Sequence, residues 1–146
     1  MELPTHPGSE TVPFEHLSGV HLLGLDGRPA PSVRDGLPTG AFDTLRSFLG
    51  VPATDLARVL SIAPRTLSRR HQAGRLTPAE SDRLLRLARL AEMAAVAFGG
   101  EEPGAAWLRE PKRLLGGESP LDRADTDPGA REVEDMLYAV EFTAAA

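Results

Sequence analysis

One tetrapeptide and the run behind it constrain this chain more than any other feature. Thr77-Pro78-Ala79-Glu80 places a hydroxyl, a proline and a carboxylate where a helix start favours them. The cap hydroxyl and the carboxylate three residues on satisfy each other's free backbone N–H groups, and proline in the first turn loses no hydrogen bond. Leu84, Leu87, Ala88, Ala91, Ala94, Ala95 and Phe98 then recur at three- and four-residue spacing, until Gly99-Gly100 end the run. The pattern predicts a long helix with one face on a core. At 146 residues, the chain is one domain or two very small ones sharing that core.

The segments around it also read as helices. Ala41 to Leu49 puts Phe42, Leu45, Phe48 and Leu49 on one face, and Gly50 and Pro52 stop it. Thr54 is expected to cap the next helix, whose apolar residues are Leu56, Ala57, Val59 and Leu60. A short turn, 61–64, leads to a third helix with Pro64 in its first turn, running to about Ala73 and closed by Gly74. After the long helix come a short one, Pro103 to Arg109, and a loop region, 111–126, anchored by Leu114 and Leu115. Gly116 and Gly117 are expected to turn with positive φ. The last helix starts near Asp127-Pro128, capped by Thr126 or Asp127, with Val133, Met136, Leu137 and Val140 as its apolar stripe. Residues 1–40 are rich in Pro, Gly, Ser and Thr, and no helix is expected before about residue 40. The apolar run 19–25 reads as a short strand or a mobile arm. The fold class is therefore all-α: roughly six helices behind an irregular N-terminal arm, without an internal repeat.

Several functions are set aside by composition. The chain has no cysteine, so disulfide scaffolds and thiolate metal sites are excluded. Its start has no basic segment and no apolar h-region, and the stretch Leu84 to Phe98 is interrupted by Arg86, Arg89 and Glu92. A soluble cytoplasmic protein with no membrane partner is expected. His6, His16 and His21 lack carboxylates at metal-ligand spacing, and no serine sits in a nucleophile elbow. Glu80 and Asp82, near Arg83 and Arg86, read as surface ion pairs. The chain is expected to be no enzyme and to hold no metal and no cofactor.

The residues between 53 and 74 carry the functional signal. A short helix, a tight turn and a second helix bearing Arg and hydroxyl side chains form a helix-turn-helix pattern. Such a second helix fits the major groove, where its first residues meet base edges and phosphates. The candidate DNA-binding residues are Arg65, Thr66, Ser68, Arg69, Arg70 and Arg75, with Leu67 turned to the core. The same pattern also fits a solvated basic face on an ordinary bundle. Charge distribution sharpens the reading. The chain as a whole has a net charge of -5, yet residues 58–90 hold eight arginines against two acids, a balance of +6. Residues 118–146 hold eight acids against two arginines, a balance of -6. Two readings follow: one anionic and one cationic partner, or pairing of the two regions with each other.

From Ala63 to Glu141 the chain resembles the Xre/MbcA/ParS-type antitoxins of bacterial toxin–antitoxin pairs. The stretches that carry the resemblance are RTLSRRHQAGRLTPAESDRLLRLARL, AAWLREP, LLGGESPLD and DTDPGAREVEDML. Thr66-Leu67-x-Arg69-Arg70, Gly74-x-Leu76, Glu80-Ser81-x-Arg83, Trp107-Leu108, Gly116-Gly117-x-x-Pro120-Leu121 and Thr126-x-x-Gly129 are specific as a set. The resemblance implies three parts: an arm over 1–40, an Xre-like DNA-binding region over 41–98, and a small helical toxin-binding domain over 99–146. It implies that the 41–98 region binds operator DNA and represses its own operon. It implies that the 99–146 domain blocks the active site of a cognate RES-domain toxin, an NAD-using, ADP-ribosyltransferase-like enzyme. An acidic final helix suits a pocket made for an anionic dinucleotide. Trp107, Leu108, Pro111 and Leu115 are expected to pack, and Glu134, Tyr138, Glu141 and Phe142 to reach the toxin. A homodimer, and a hetero-oligomer with toxin, are the expected assemblies. The chain departs from the family at Val140-Glu141-Phe142-Thr143, where a glycine is usual, and its alanine tail favours continued helix. Two alternatives stay open: a stand-alone helix-turn-helix regulator without a toxin, and an interaction module that has lost DNA binding.

Overall fold

The computed structural model describes residues 13–25 and 28–145. The described residues form helices α1 (Pro29–Asp35), α2 (Thr39–Leu49), α3 (Ala53–Val59), α4 (Pro64–Ala73), α5 (Pro78–Phe98), α6 (Glu101–Arg109), α7 (Pro120–Arg123) and α8 (Asp127–Ala145). No helix among them is long and apolar enough to cross a membrane.

The axle is α5, and its capping box forms as expected. Glu80 N–H donates to Thr77 Oγ1 at 3.2 Å, and Thr77 N–H donates to Glu80 Oε1 at 2.9 Å. Gly99 ends the helix with φ 78°. Helices α6 and α8 pack on α5. Gly104 allows the close approach of α6, because a Cβ there would lie 2.7 Å from Ala95 N. Ala130, Val133 and Leu137 bury the inner face of α8. Phe42, Leu45 and Leu49 of α2 join Leu56, Leu60, Leu84, Leu90, Met93 and Leu108 in one continuous core. Each such side chain contributes about 1.5–3 kcal/mol through burial.

Several boundaries differ from the sequence reading. A helix does form before residue 40: α1 begins with Pro29 at its first position and Pro31 in its first turn. Prolines are tolerated there because the first N–H groups of a helix have no intrahelical acceptor. Residues 19–25 are neither strand nor free arm. They coil on themselves, with Leu23 N–H donating to Gly19 O and Leu25 N–H to Val20 O. The Glu92 carboxylate accepts Gly19 N–H at 3.1 Å and Leu22 N–H at 2.9 Å, and thereby holds the coil on α5. Thr54 is not a cap: α3 begins at Ala53 after Pro52, so Thr54 lies inside the first turn. Helix α6 starts two residues before Pro103, at Glu101. The loop region contains α7, capped by Ser119 Oγ, which accepts Asp122 N–H at 3.1 Å. Of its two leucines only Leu115 is an anchor; Leu114 is 85% exposed. Gly116 and Gly117 do carry positive φ, 64° and 90°.

Candidate nucleic-acid and partner interfaces

Helices α3 and α4 enclose a turn, 60–63, with the expected helix-turn-helix layout. Ser61 makes the corner at φ 57°, the sole non-glycine left-handed residue among those described. Ile62 is buried beneath it and donates its N–H to Ala57 O at 2.8 Å. Arg83 ties the turn to α5 by donating from Nε to Leu60 O at 2.8 Å. On α4, Leu67 leans on the core while Arg65, Ser68 and Arg69 are exposed and Thr66 is half-buried. Arg69 approaches Thr66 Oγ1 at 3.5 Å. Arg65 has no hydrogen bond or ion pair within the described residues, so its guanidinium is available to a ligand.

Arg70 and Arg75 sit differently. Arg70 Nε donates to Glu80 Oε1 at 2.8 Å, and Glu80 is buried. Burial pushes the Glu80 carboxyl up, but hydrogen bonds from Arg70 and from the Thr77 backbone and hydroxyl outweigh it and hold the group below its ordinary value. Glu80 is thus no surface ion pair with Arg83 or Arg86, because the capping box turns it inward. Arg75 Nη1 donates to Gly36 O at 2.7 Å and Asp35 O at 3.3 Å, closing the end of α1. Carbonyl partners leave its charge in place, so Arg75 still contributes positive potential. His71 donates from Nδ1 to Leu67 O at 3.1 Å, with Nε2 3.2 Å from Asp43 Oδ1.

The two charged regions do pair with each other. Arg58 lies 2.8 Å from Asp122. Arg86 lies 2.7 Å from Asp82 and 3.5 Å from Asp127. Arg89 lies 2.9 Å from Glu134 and donates from Nε to Leu17 O at 2.9 Å. Of the eight arginines counted in 58–90, four therefore face carboxylates and two face carbonyls. Arg65 and Arg69 remain without an acid among the described residues. Proximity in sequence could not reveal this, since Arg58 and Asp122 are 64 residues apart.

At the other end, α8 continues as helix to Ala145, as an alanine tail without the glycine favours. Val133 and Leu137 are buried and Met136 and Val140 half-buried, as the stripe predicts. Phe142 is 80% exposed and Tyr138 40% exposed. The Tyr138 ring meets Phe14 edge-on, centroids 5.1 Å apart. Phe14 supports it from a segment in which sequence offered no site. Glu141 has no ion pair among the described residues, whereas Glu134 is held by Arg89. Leu108 and Leu115 pack as expected, and Trp107 stacks on Phe98 at 5.2 Å under Lys112 Nζ. Pro111, expected to pack, is exposed, because the chain leaves α6 there. No group of three His, Asp or Glu able to hold a metal occurs among the described residues.

Comparison with known proteins assigns families to both ends. Residues 28–89 match the antitoxin Xre-like helix-turn-helix domain, and residues 93–142 match the antitoxin Xre/MbcA/ParS C-terminal toxin-binding domain. The two matches meet inside α5, so one helix serves both. A curated protein of Yersinia enterocolitica named Antitoxin Xre is 33% identical over 112 residues, 75% of this chain and 76% of that protein. One of the same name from Photorhabdus laumondii is 30% identical over 142 residues, 96% of this chain and 91% of its own length. A third, from Pseudomonas putida, is 36% identical over 88 residues, 60% and 55%.

Proposed function

The chain belongs to the Xre family of antitoxins, and from that premise we propose that it neutralises a cognate RES-domain toxin with α8 and represses its own operon with α4. One observation carries the toxin half: an aromatic side chain, Phe142, stands 80% exposed on the last turns of α8 beside Glu141, which has no ion pair among the described residues. A large exposed apolar group flanked by an acid suits a basic, ligand-sized pocket. The toxin face consists of Tyr138, Glu141 and Phe142, and Glu134 joins it only by leaving Arg89. For DNA, the guanidiniums of Arg65 and Arg69, which meet no carboxylate among the described residues, supply the base and phosphate contacts, with Thr66 and Ser68 between them and Arg75 adding charge. Arg70 holds α4 in place through Glu80. A two-fold operator calls for a homodimer, to which toxin adds as a hetero-oligomer.

Co-expression with the product of the adjacent reading frame tests this. With a tag on this chain alone, the neighbour co-purifies and its toxicity disappears. A chain truncated at Ser119 loses both effects. Rescue by that truncated chain removes α8 from the mechanism. Absence of any toxic neighbour, with salt-dependent DNA binding intact, leaves the stand-alone regulator, which exposed Arg65 and Arg69 equally support.

A further inference from the structure

A groove of about 1190 Å³ opens between residues 16–22, α2 and the C-terminal half of α5. No residue of α8 lines it, so it is separate from the proposed toxin face. Its floor is apolar: Leu17, Val20, Leu22, Phe48 and Val96 line it and are only partly buried. Its charged groups are all acids, Asp43, Glu92 and Glu101, with two histidines and no lysine or arginine.

Glu92 gives this groove its sign. It is 9% exposed, and its two carboxylate oxygens each accept a backbone N–H, from Gly19 and Leu22. No arginine or lysine pairs with it among the described residues. The residues outside the described set, 1–12, 26, 27 and 146, contain no lysine or arginine either. This chain therefore has no such side chain there to bring to the groove. The volume exceeds the roughly 300–1,000 Å³ of small-molecule pockets and suits a peptide segment laid along an apolar floor.

We propose that this groove is a second protein-docking surface, which takes an amphipathic segment of a partner protein carrying Lys or Arg beside apolar side chains. The apolar residues of that segment cover Val20, Phe48 and Val96, and its cations face Asp43, Glu92 and Glu101. Nucleic acid is disfavoured, because phosphates meet three carboxylates.

The test is an isotope-labelled NMR titration of the full chain with a synthetic helical peptide patterned in Leu and Lys. Its counterpart with Glu for Lys is the control. Saturable shifts at Val20, Phe48 and Val96 with the Lys peptide alone are expected. The exposed substitution Glu101→Lys is expected to weaken binding about fivefold. Shifts confined to α8, equal binding of both peptides, or no binding at all overturn the proposal. So do nuclear Overhauser contacts from residues 1–12 onto Phe48 in the free protein, which would make this chain the groove's occupant.

Discussion

Arg70 Nε donates to Glu80 Oε1 at 2.8 Å, while the same carboxylate oxygen accepts the Thr77 N–H at 2.9 Å. One buried oxygen thus fastens the middle of α4 to the start of α5. Glu80→Ala removes a charge-assisted hydrogen bond and half of a capping box, and is expected to cost about 2 kcal/mol. The acid dependence has a definite sign. Because the folded carboxyl titrates below its unfolded value, its contribution is complete above that unfolded value. It is lost as pH falls through the folded value. Urea midpoints at pH 7 and pH 3 check this: Glu80→Gln lowers stability at pH 7 and narrows the gap between the two pH values.

Replacing Arg65 or Arg69 is expected to weaken DNA binding without touching the fold. Each Arg→Ala change is expected to reduce the slope of log affinity against log salt by about 1 when a phosphate contact is lost. Arg70→Ala behaves differently and lowers the melting temperature, because it leaves Glu80 buried without its cation. Fluorescence anisotropy across a salt series, with a melting curve for each variant, separates the two outcomes. Unchanged affinity in both Arg65→Ala and Arg69→Ala would remove α4 from the DNA face.

Phe142 and Leu137 lie on the same helix and predict opposite results. Phe142→Ala should leave stability within about 0.5 kcal/mol, since its side chain is 80% exposed. It should also lose toxin neutralisation in a growth-rescue assay. Leu137→Ala empties a fully buried site and should cost about 3 kcal/mol. Normal rescue by Phe142→Ala would move the toxin contact elsewhere on the domain.

Gly129 is required for a packing reason. A Cβ at this position would collide with the Arg123 carbonyl and come within 3.2 Å of Thr126 Oγ1. That hydroxyl accepts the Gly129 N–H at 3.2 Å, which closes the joint between α7 and α8. Gly129→Ala is expected to destabilise the chain by about 1–3 kcal/mol despite alanine's higher helix propensity. Chemical denaturation with a circular-dichroism readout measures it.

The start of α5 and the stops of α4 and α5 were legible because their chemistry is local. Thr77 reaches Glu80 across three residues, and Gly74 and Gly99 close their helices by taking a left-handed backbone. The apolar spacing of α2, α5 and α8 was legible for the same reason, and family motifs pointed to the antitoxin reading. Helix α1 was hidden because two prolines read as breakers until their place in the first turn was known. Of the charges, the local Asp82–Arg86 pair was legible, and pairing of the two charged regions was one of two open readings, but the individual long-range partners were not. Arg58 meets Asp122, Arg89 meets Glu134 and Glu92 meets the coil at 19–22 across separations the chain itself does not encode locally. Sequence determined the helices whose caps, glycine stops and apolar stripes are local, α2, α4, α5 and α8, since a cap or a glycine acts within one turn. Only the tertiary structure decided which cations and carboxylates stay free for a ligand, since an ion pair depends on distance in space between residues far apart in the chain.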